Sequence, residues 1–486
     1  MAAHGGGEGA LSVDSINPNI RRMEYAVRGP IMLRALELEK QVKQGASLPF
    51  KSVIRANLGD AHAMGQKPVS FVRQVIAACV CPALLESGKL NEDVKQRVQR
   101  ILGGCNGQSI GAYTNAWGIE VIREDVAKFI ADRDGGIPSS PDNIVLCGGA
   151  SEGIRTLLNL FNNLGATHTP VGVMVPVPQY PLYSASIVEF GMHMVSYYLD
   201  ESNKWGLSIP ELQRALDEHR SSCNPRILVV INPGNPTGQV LSRPNIESII
   251  KFAHDNNLFI FADEVYQENV YDPDCKFHSF KRVLSELGEP YSRLGLISFN
   301  SISKGFFGEC GMRGGYAEIV NMAPDVFAQY KKSISARLCS TAVGQAIVEC
   351  LVNRPKPGEP SFDSFEAERR AILTSLAERA KIVADTFNSI EGISCNPVQG
   401  AMYAFPNLKL PDKAIQKAQS LGVKPDFMYC MELLEQAGVC VVPGSGFGQK
   451  EGTWHFRTTI LPQPEMLKDM MQRFTDFHAK FLEKYK

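Results

Sequence analysis

Short apolar runs rich in β-branched residues alternate with helical segments between residues 143 and 320. Such alternation is typical of a mostly parallel sheet that helices cover on both faces. The predicted strands are Asn143–Cys147, Val171–Val177, His193–Leu199, Arg226–Ile231, Leu258–Ala262, Gly295–Phe299 and Gly315–Ile319. The sequence therefore predicts an α/β fold built on a mostly parallel, seven-stranded sheet.

The remainder of the chain predicts a second, smaller α+β domain. The Pro-rich stretch Arg354–Pro360 predicts a linker, and a long charged helix is expected at Phe362–Asn388. A closing amphipathic helix carries an apolar stripe that we expect to be core, comprising Leu467, Met470, Met471, Phe474, Phe477 and Phe481. We expect a flexible lead over 1–15, an N-terminal arm and part of the small domain over 16–85, a large domain over 86–353 and the C-terminal small domain over 354–486.

Composition excludes several classes of protein. The chain has 50 basic and 51 acidic residues, a net charge of −1, which gives no broad attraction for nucleic acid or an anionic membrane. Its longest apolar runs, such as Val171–Pro178, are far shorter than the roughly 18 residues of a membrane-spanning helix. Twelve cysteines without a CxxC pair and nine histidines without an HExxH motif offer no argument for a metal site. We expect free thiols and a cytoplasmic protein, with a mitochondrion or another organelle as the alternative.

Two segments rich in turn-forming residues follow predicted strands, where ligands bind in open α/β sheets. Cys147–Glu152 runs from a strand into a helix, and its glycines and the Ser151 hydroxyl would suit a phosphate at the helix N-terminus. A plain serine cap is the simpler interpretation of that segment alone. Ile231–Gly238 contains two Asn-Pro pairs, which predict consecutive turns and could also direct an asparagine amide at a ligand.

Two further strand ends carry ionisable side chains. Asp263 follows the apolar run Leu258–Ala262, where a carboxylate loses its hydration. It would therefore need a cationic partner, such as a protonated pyridine nitrogen. The alternative is that Asp263 caps the next helix. Lys304 lies in Ser301–Gly305 after the next strand, with Arg313 nine residues later. The apolar surroundings and the arginine predict a disfavoured ammonium form and hence a nucleophilic lysine, although most lysines are simply solvated.

These four segments occur in one chain, each at a predicted strand end, and together they supply what one cofactor needs. Pyridoxal phosphate needs an anchored phosphate, a lysine for its aldehyde, a carboxylate at its ring nitrogen and donors to its phenolic oxygen. The combination resembles the fold-type-I pyridoxal-phosphate enzymes, and specifically the class I and II aminotransferases. From about Ile16 onwards, further segments resemble the alanine aminotransferases within that family: RRMEYAVRGP, IRANLGDAHAMGQ, PVPQYPLYSA, VINPGNPTGQV, ADEVYQENVY, SKGFFGECGMRGGY, NPVQGAMYAFP and VVPGSGFGQKEGTWHFRTTIL.

The resemblance implies a role for each cofactor-binding residue. Lys304 would bind the aldehyde and later carry the substrate's Cα proton, and Asp263 would keep the pyridine nitrogen protonated. Asn235 and Tyr266 would hydrogen-bond the phenolic oxygen. Tyr180 would stack on the pyridine face, unless it only stabilises a Pro-rich turn. The phosphate cradle would comprise Ala150, Ser151, Ser301, Ser303 and Arg313.

The resemblance also implies a substrate site and a partner. Arg457 would clamp the substrate α-carboxylate, which a planar guanidinium fits better than an ammonium group does. Gly59 would let the backbone approach that carboxylate, and Asn235 and Tyr180 would contact the substrate as well. Tyr113 resembles the tyrosine that reaches the phosphate of the neighbouring subunit, which implies a homodimer with shared active sites.

The implied reaction is a reversible, ping-pong transfer of the amino group between L-alanine and 2-oxoglutarate, giving pyruvate and L-glutamate. We find no counterpart of the second arginine that meets the distal carboxylate in aspartate aminotransferases. The alternatives are a glutamate:glyoxylate aminotransferase and, more distantly, a lyase of the same fold. A non-catalytic interaction protein is disfavoured because it would not need Lys304. The expected ligands are small amino and 2-oxo acids.

Overall fold

The computed structural model describes residues 11–25, 29–163 and 169–486. Its main feature is a seven-stranded sheet made of β1 Ile144–Cys147, β2 Val171–Val177, β3 His193–Tyr198, β4 Asn224–Ile231, β5 Phe259–Asp263, β6 Leu296–Ser301 and β7 Gly315–Val320. The strand order is β1-β7-β6-β5-β4-β2-β3, and only β7 is antiparallel to its neighbours. The predicted α/β fold is confirmed, and each predicted strand end lies within about two residues of the observed one, the scatter expected for element boundaries.

Helices flank this sheet and form most of the C-terminal part. They are α1 Pro18–Arg22, α2 Pro30–Lys43, α3 Ser70–Val80, α4 Glu92–Gly103, α5 Glu120–Arg133, α6 Ala150–Phe161, α7 Pro181–Glu189, α8 Ile209–His219, α9 Arg243–Asp255, α10 Phe280–Leu287, α11 Pro324–Ser335, α12 Ala342–Val352, α13 Phe362–Asn388, α14 Asp412–Ser420, α15 Pro425–Ala437 and α16 Pro464–Tyr485. Several begin with proline, whose fixed φ and missing N–H suit the first helical position. The predicted helix Phe362–Asn388 is confirmed as α13.

Two small antiparallel sheets complete the C-terminal part. Their strands are β8 Ile393–Ser394, β9 Tyr403–Ala404, β10 Asn407–Leu408, β11 Val442–Pro443 and β12 Phe456–Thr459, in the orders β10-β8 and β11-β12-β9. Short 3-10 helices lie at Pro82–Glu86, Asn106–Gln108, Pro141–Asn143, Glu201–Asn203, Tyr291–Arg293, Cys310–Met312 and Gly444–Phe447.

The large sheet separates two apolar cores because successive side chains of a strand point to opposite faces. In β5, Ile260 and Ala262 pack with α8, α9 and α10, whereas Phe261 packs with α6, α7 and α11. Both faces of the central strands are therefore covered, which explains their continuous apolar sequence. Among the described residues, no helix combines the length and apolarity that crossing a membrane requires.

A separate core joins the first long helix to the C-terminal elements. Ile31, Ala35 and Leu38 of α2 pack in one cluster with residues of α13, α15 and α16. The predicted apolar stripe of α16 is buried throughout, so the expectation that it is core is confirmed. Helix α3 instead packs with α4 and α12. The division at residues 15, 85 and 353 stays a prediction, and the first ten residues of the expected lead lie outside the described residues.

Candidate active site

The carboxyl ends of β1, β4, β5 and β6 open on a cavity of about 480 Å³. Strands that run in the same direction end at the same edge of a sheet, so segments far apart in sequence meet there. The predicted site residues that line this cavity are Gly59, Ala150, Ser151, Tyr180, Asn235, Asp263, Tyr266, Ser301, Ser303, Lys304, Arg313 and Arg457. The structure therefore brings the sequence-predicted groups together, apart from Tyr113.

Lys304 projects into the cavity from the segment after β6. Its Nζ donates a hydrogen bond to the Gly59 carbonyl at 3.2 Å and lies 5.5 Å from the centre of the Tyr266 ring. Burial lowers the pKa of Lys304, but the Tyr403 phenol and the Cys310 thiol together raise it above its ordinary value. The expected disfavouring of the ammonium form was therefore wrong, because these two polar groups outweigh the burial.

Asp263 is the last residue of β5 and is buried, with 3% of its surface exposed. The Tyr183 hydroxyl donates to Oδ2 at 3.1 Å, and Oδ1 has no hydrogen-bond partner among the described residues. Burial raises the pKa of this carboxyl to about 6, against the opposing effects of Tyr183, the Val265 N–H and the Lys304 cation. The helix-cap alternative was wrong, because the next helix, α10, is capped by Ser279. The unpartnered oxygen suits a cationic donor such as a protonated ring nitrogen.

The turn after β1 places the N-terminus of α6 beside Arg313. Gly149 is the N-cap of α6, adopts φ 88° and provides no side-chain hydrogen bond. Ser151 is thus the second residue of the helix, and its interpretation as the cap was wrong. A Cβ at Gly149 would lie 2.4 Å from Arg313 Nη2 and would displace this guanidinium, and the positive φ independently favours glycine.

Polar groups from a second segment complete a surface suited to an anion. The Arg313 guanidinium donates to the carbonyls of Cys310 at 2.8 Å and Gly148 at 3.1 Å. The Ser303 N–H donates to Ser301 Oγ at 3.1 Å, and both serines line the cavity. Free N–H groups of a helix N-terminus, serine hydroxyls and a guanidinium are the donors that bind a phosphate.

Arg457 lies in the middle of β12, as predicted, and only 1% of its surface is exposed. Its guanidinium donates to Asn235 Oδ1 at 3.1 Å and to the Asn57 carbonyl at 2.6 Å. The same group lies over the rings of Tyr403 and Phe447, at 4.1 and 4.7 Å from their centres. No acidic side chain of the described chain forms an ion pair with it, so this buried cation suits an anionic ligand.

Sequence reasoning missed three phenols at the site. The Tyr25 hydroxyl lies 3.3 Å from that of the predicted Tyr180, the Tyr183 hydroxyl donates to Asp263, and Tyr403 contacts Arg457 and lies near Lys304. Tyr25, Tyr183 and Tyr403 lie in segments that resemble the alanine aminotransferases, but their roles depend on contacts with distant segments, which the sequence does not show.

Tyr113 is 69% exposed and does not line the cavity. Its carbonyl accepts a hydrogen bond from the Asn106 amide at 2.8 Å, which holds the backbone of this surface segment. Its contact with a neighbouring subunit stays a prediction. Within the described ranges, no group of three or more His, Cys, Asp or Glu side chains is arranged to hold a metal ion.

A sequence model of the family described as aminotransferase class I and II matches residues 82–474. The chain belongs to this family. This aminotransferase is 56% identical over 486 residues to alanine aminotransferase 2 of Xenopus laevis, covering 100% of this chain and 90% of the relative. It is 54% identical over 483 residues to alanine aminotransferase 1 of Homo sapiens, covering 99% and 97%. The solved structure of an alanine aminotransferase from Pyrococcus furiosus has the same fold, with a TM-score of 0.74 at 24% identity over 96% of this chain and 100% of that one.

Proposed function

We propose that this aminotransferase transfers an amino group reversibly between L-alanine and 2-oxoglutarate, with pyridoxal phosphate as its cofactor. The observation that carries the proposal is Arg457, a buried guanidinium without an acidic partner among the described residues, in the same cavity as Lys304. Such a cation suits the α-carboxylate that amino acids and 2-oxo acids share. The identity of 54% and 56% to alanine aminotransferases along nearly the whole chain favours alanine as the amino donor.

The described side chains fit pyridoxal phosphate. When bound, this cofactor supplies an aldehyde for the lysine and a ring that accepts negative charge from the substrate Cα. Asp263 Oδ1, which has no partner in the described part of the chain, would meet the ring nitrogen, and Gly149 leaves room for Arg313 at the phosphate. Asn235 accepts from Arg457 through its oxygen, which leaves its amide N–H groups to donate to the phenolic oxygen. The residues that would hold the cofactor are Ala150, Ser151, Tyr180, Asn235, Asp263, Tyr266, Ser301, Ser303, Lys304 and Arg313.

Arg457 and Lys304 have different roles in the proposed reaction. Arg457 binds the α-carboxylate and so fixes the position of Cα relative to Lys304. The Lys304 amino group, in its neutral form, removes the Cα proton of the amino acid in one half-reaction and delivers a proton to the Cα of the 2-oxo acid in the other. The same two residues serve the amino acid in one half-reaction and the 2-oxo acid in the other, so the two substrates take turns in one site. This requirement predicts ping-pong kinetics.

The composition of the cavity wall favours a small substrate side chain on the amino donor. Among the described residues that line it, the cations are Lys304, Arg313 and Arg457, and each already has a place in the proposed site. The wall also carries the carboxyl groups of Asp60 and Asp263 and the phenols of Tyr25, Tyr180, Tyr266 and Tyr403. A methyl group needs no further charged partner there, whereas the distal carboxylate of 2-oxoglutarate meets no unassigned cation among these lining residues.

A spectral titration tests the proposal. L-Alanine should abolish the visible absorbance band of the lysine-bound cofactor, and 2-oxoglutarate should restore it. The Lys304→Ala chain, folded but without that band, is the control. A chain that shows no such band with added cofactor would overturn the proposal. A faster reaction with glyoxylate than with pyruvate as acceptor would favour a glutamate:glyoxylate aminotransferase, and ammonia release without an acceptor would favour a lyase.

We further infer a homodimer in which Tyr113 reaches the partner's phosphate site. Its exposure in a single chain supports this assignment, because a large aromatic side chain at the surface suits an interface. Light scattering tests the dimer, and Tyr113→Phe should weaken cofactor binding in equilibrium dialysis. All twelve cysteines are free thiols, which supports a reducing compartment, either the cytosol or the mitochondrial matrix. A fluorescent fusion to the native chain separates the two.

A further inference from the structure

Tyr403 contacts both residues that the proposed reaction depends on. It lies in β9, which pairs with β12, and only 3% of its surface is exposed. Its ring lies under the Arg457 guanidinium at 4.1 Å and stands nearly perpendicular to the Tyr266 ring, with centres 6.2 Å apart. The roles proposed for Lys304, Arg457 and Tyr266 do not explain why position 403 carries a phenol.

Gly59 shows where the Tyr403 hydroxyl lies. A Cβ added at Gly59 would be 1.8 Å from Tyr403 Oη and 3.3 Å from Lys304 Nζ, and Lys304 Nζ itself donates to the Gly59 carbonyl at 3.2 Å. The hydroxyl and the amino group therefore lie close together on the same side of Gly59, and a larger residue at position 59 would clash with the Tyr403 phenol. Gly59 makes room for the Tyr403 phenol, in addition to the role expected for it at the substrate carboxylate.

We propose that Tyr403 is a positioning residue: its hydroxyl orients the Lys304 amino group beside the Gly59 carbonyl, while its ring supports the Arg457 guanidinium. One side chain thus sets the distance between the proton-accepting amine and the carboxylate clamp. This inference rests on the proposed function for its consequence in catalysis. The contacts themselves belong to the cofactor-free chain.

Electrostatics agree with this arrangement. Burial raises the pKa of Tyr403, but the Lys304 and Arg457 cations and a hydrogen bond with Tyr266 lower it below its ordinary value overall. Conversely, Tyr403 contributes to the raised pKa of Lys304. The titratable and charged groups that face this pair are Cys310, Arg457, Tyr266, Asp263 and Tyr180. The phenol and the amine stabilise each other's charged form.

A phenolate titration tests the contact without any enzymatic assay. Ultraviolet titrations of the cofactor-free, full-length chain and of Tyr403→Phe are subtracted, so that the difference reports Tyr403 alone. Its midpoint should lie below the ordinary tyrosine value of about 10. In a Lys304→Met background, the same difference should move to higher pH because the cation that contributes most to lowering the pKa of Tyr403 is gone. A midpoint at or above about 10 would overturn the proposal, and so would a midpoint that is the same in the wild-type and Lys304→Met backgrounds.

Kinetics of the loaded enzyme test the positioning. Tyr403→Phe keeps the ring under Arg457 and should lower kcat about tenfold or more with little change in KM for alanine. The acid limb of its kcat profile should move to lower pH, because a group that raises the pKa of Lys304 is lost. Tyr403→Leu, which also removes the aromatic face, should raise KM in addition. Equal kcat and pH profiles for the wild type and Tyr403→Phe would refute the idea.

A matched control removes a buried phenol elsewhere. The Tyr330 hydroxyl lies 3.0 Å from Thr156 Oγ1, and this tyrosine lies under the sheet, outside the cavity. Tyr330→Phe should leave kcat, KM and the pH profile unchanged. If the wild type proved to have no aminotransferase activity, the proposed function would fail while the phenolate titration would still decide whether Tyr403 and Lys304 interact.

Discussion

Replacing Asp263 with asparagine should stabilise the cofactor-free chain and impair its use of the cofactor. The carboxyl is buried, and its pKa in the fold is about 6 against an ordinary value of 3.8. A raised pKa means that the folded chain holds the proton more tightly than the unfolded chain does. The stability contributed by the protonated carboxyl is therefore complete below pH 3.8 and is lost as the pH rises through 6. The rise of the Asp263 pKa from 3.8 to about 6 corresponds to roughly 3 kcal/mol of stability, of which about 2 kcal/mol is lost between pH 4.5 and 7.5.

The Asp263→Asn chain has no such titration, since an amide stays neutral. The free energy of unfolding of the variant minus that of the wild type, both measured with urea, should therefore increase by about 2 kcal/mol as the pH rises from 4.5 to 7.5. The hydrogen bond from Tyr183 can be kept by the amide oxygen, while the amide N–H groups replace the unpartnered Oδ1. Added pyridoxal phosphate should raise the melting temperature of the wild type more than that of the variant. A stability difference that does not change with pH would refute the reasoning.

Three other substitutions give separate tests. Arg457→Lys should lower kcat/KM for alanine and for 2-oxoglutarate alike, by roughly 30-fold or more, because both α-carboxylates would lose the buried guanidinium. An effect on one substrate only would contradict a carboxylate site that both substrates share. Arg313→Ala should weaken cofactor binding about tenfold or more in equilibrium dialysis, through loss of a charged hydrogen bond to the phosphate; unchanged binding would remove Arg313 from the cradle. Phe474→Ala should cost about 3–5 kcal/mol in urea unfolding, because the ring packs against Phe387 and Phe456; the exposed Met466→Ala is the control.

Much of the fold and of the site follows from local sequence. Central strands are apolar on both faces, so their positions appear directly as apolar runs, and side chains such as Asp263 and Lys304 follow those runs at the edge where ligands bind. Tyr403 could not be found in this way, because its function depends on Lys304 and Arg457, which are remote in the chain and adjacent only after folding. The error in the expected pKa of Lys304 has the same origin, since it omitted the phenol that opposes the burial.

The packing of α2 against the C-terminal helices has a consequence for synthesis on the ribosome. The large sheet is complete once residue 320 has emerged, but Ile31, Ala35 and Leu38 share a core with Leu433 of α15 and Met470 of α16. At roughly 5–20 residues per second, the delay of about 400 residues is on the order of 20–80 seconds. Through that interval the first long helix can meet the nearby members of its core, such as Ile54 and Met64, but not α13, α15 and α16, so part of its apolar face stays uncovered until the last helix is made.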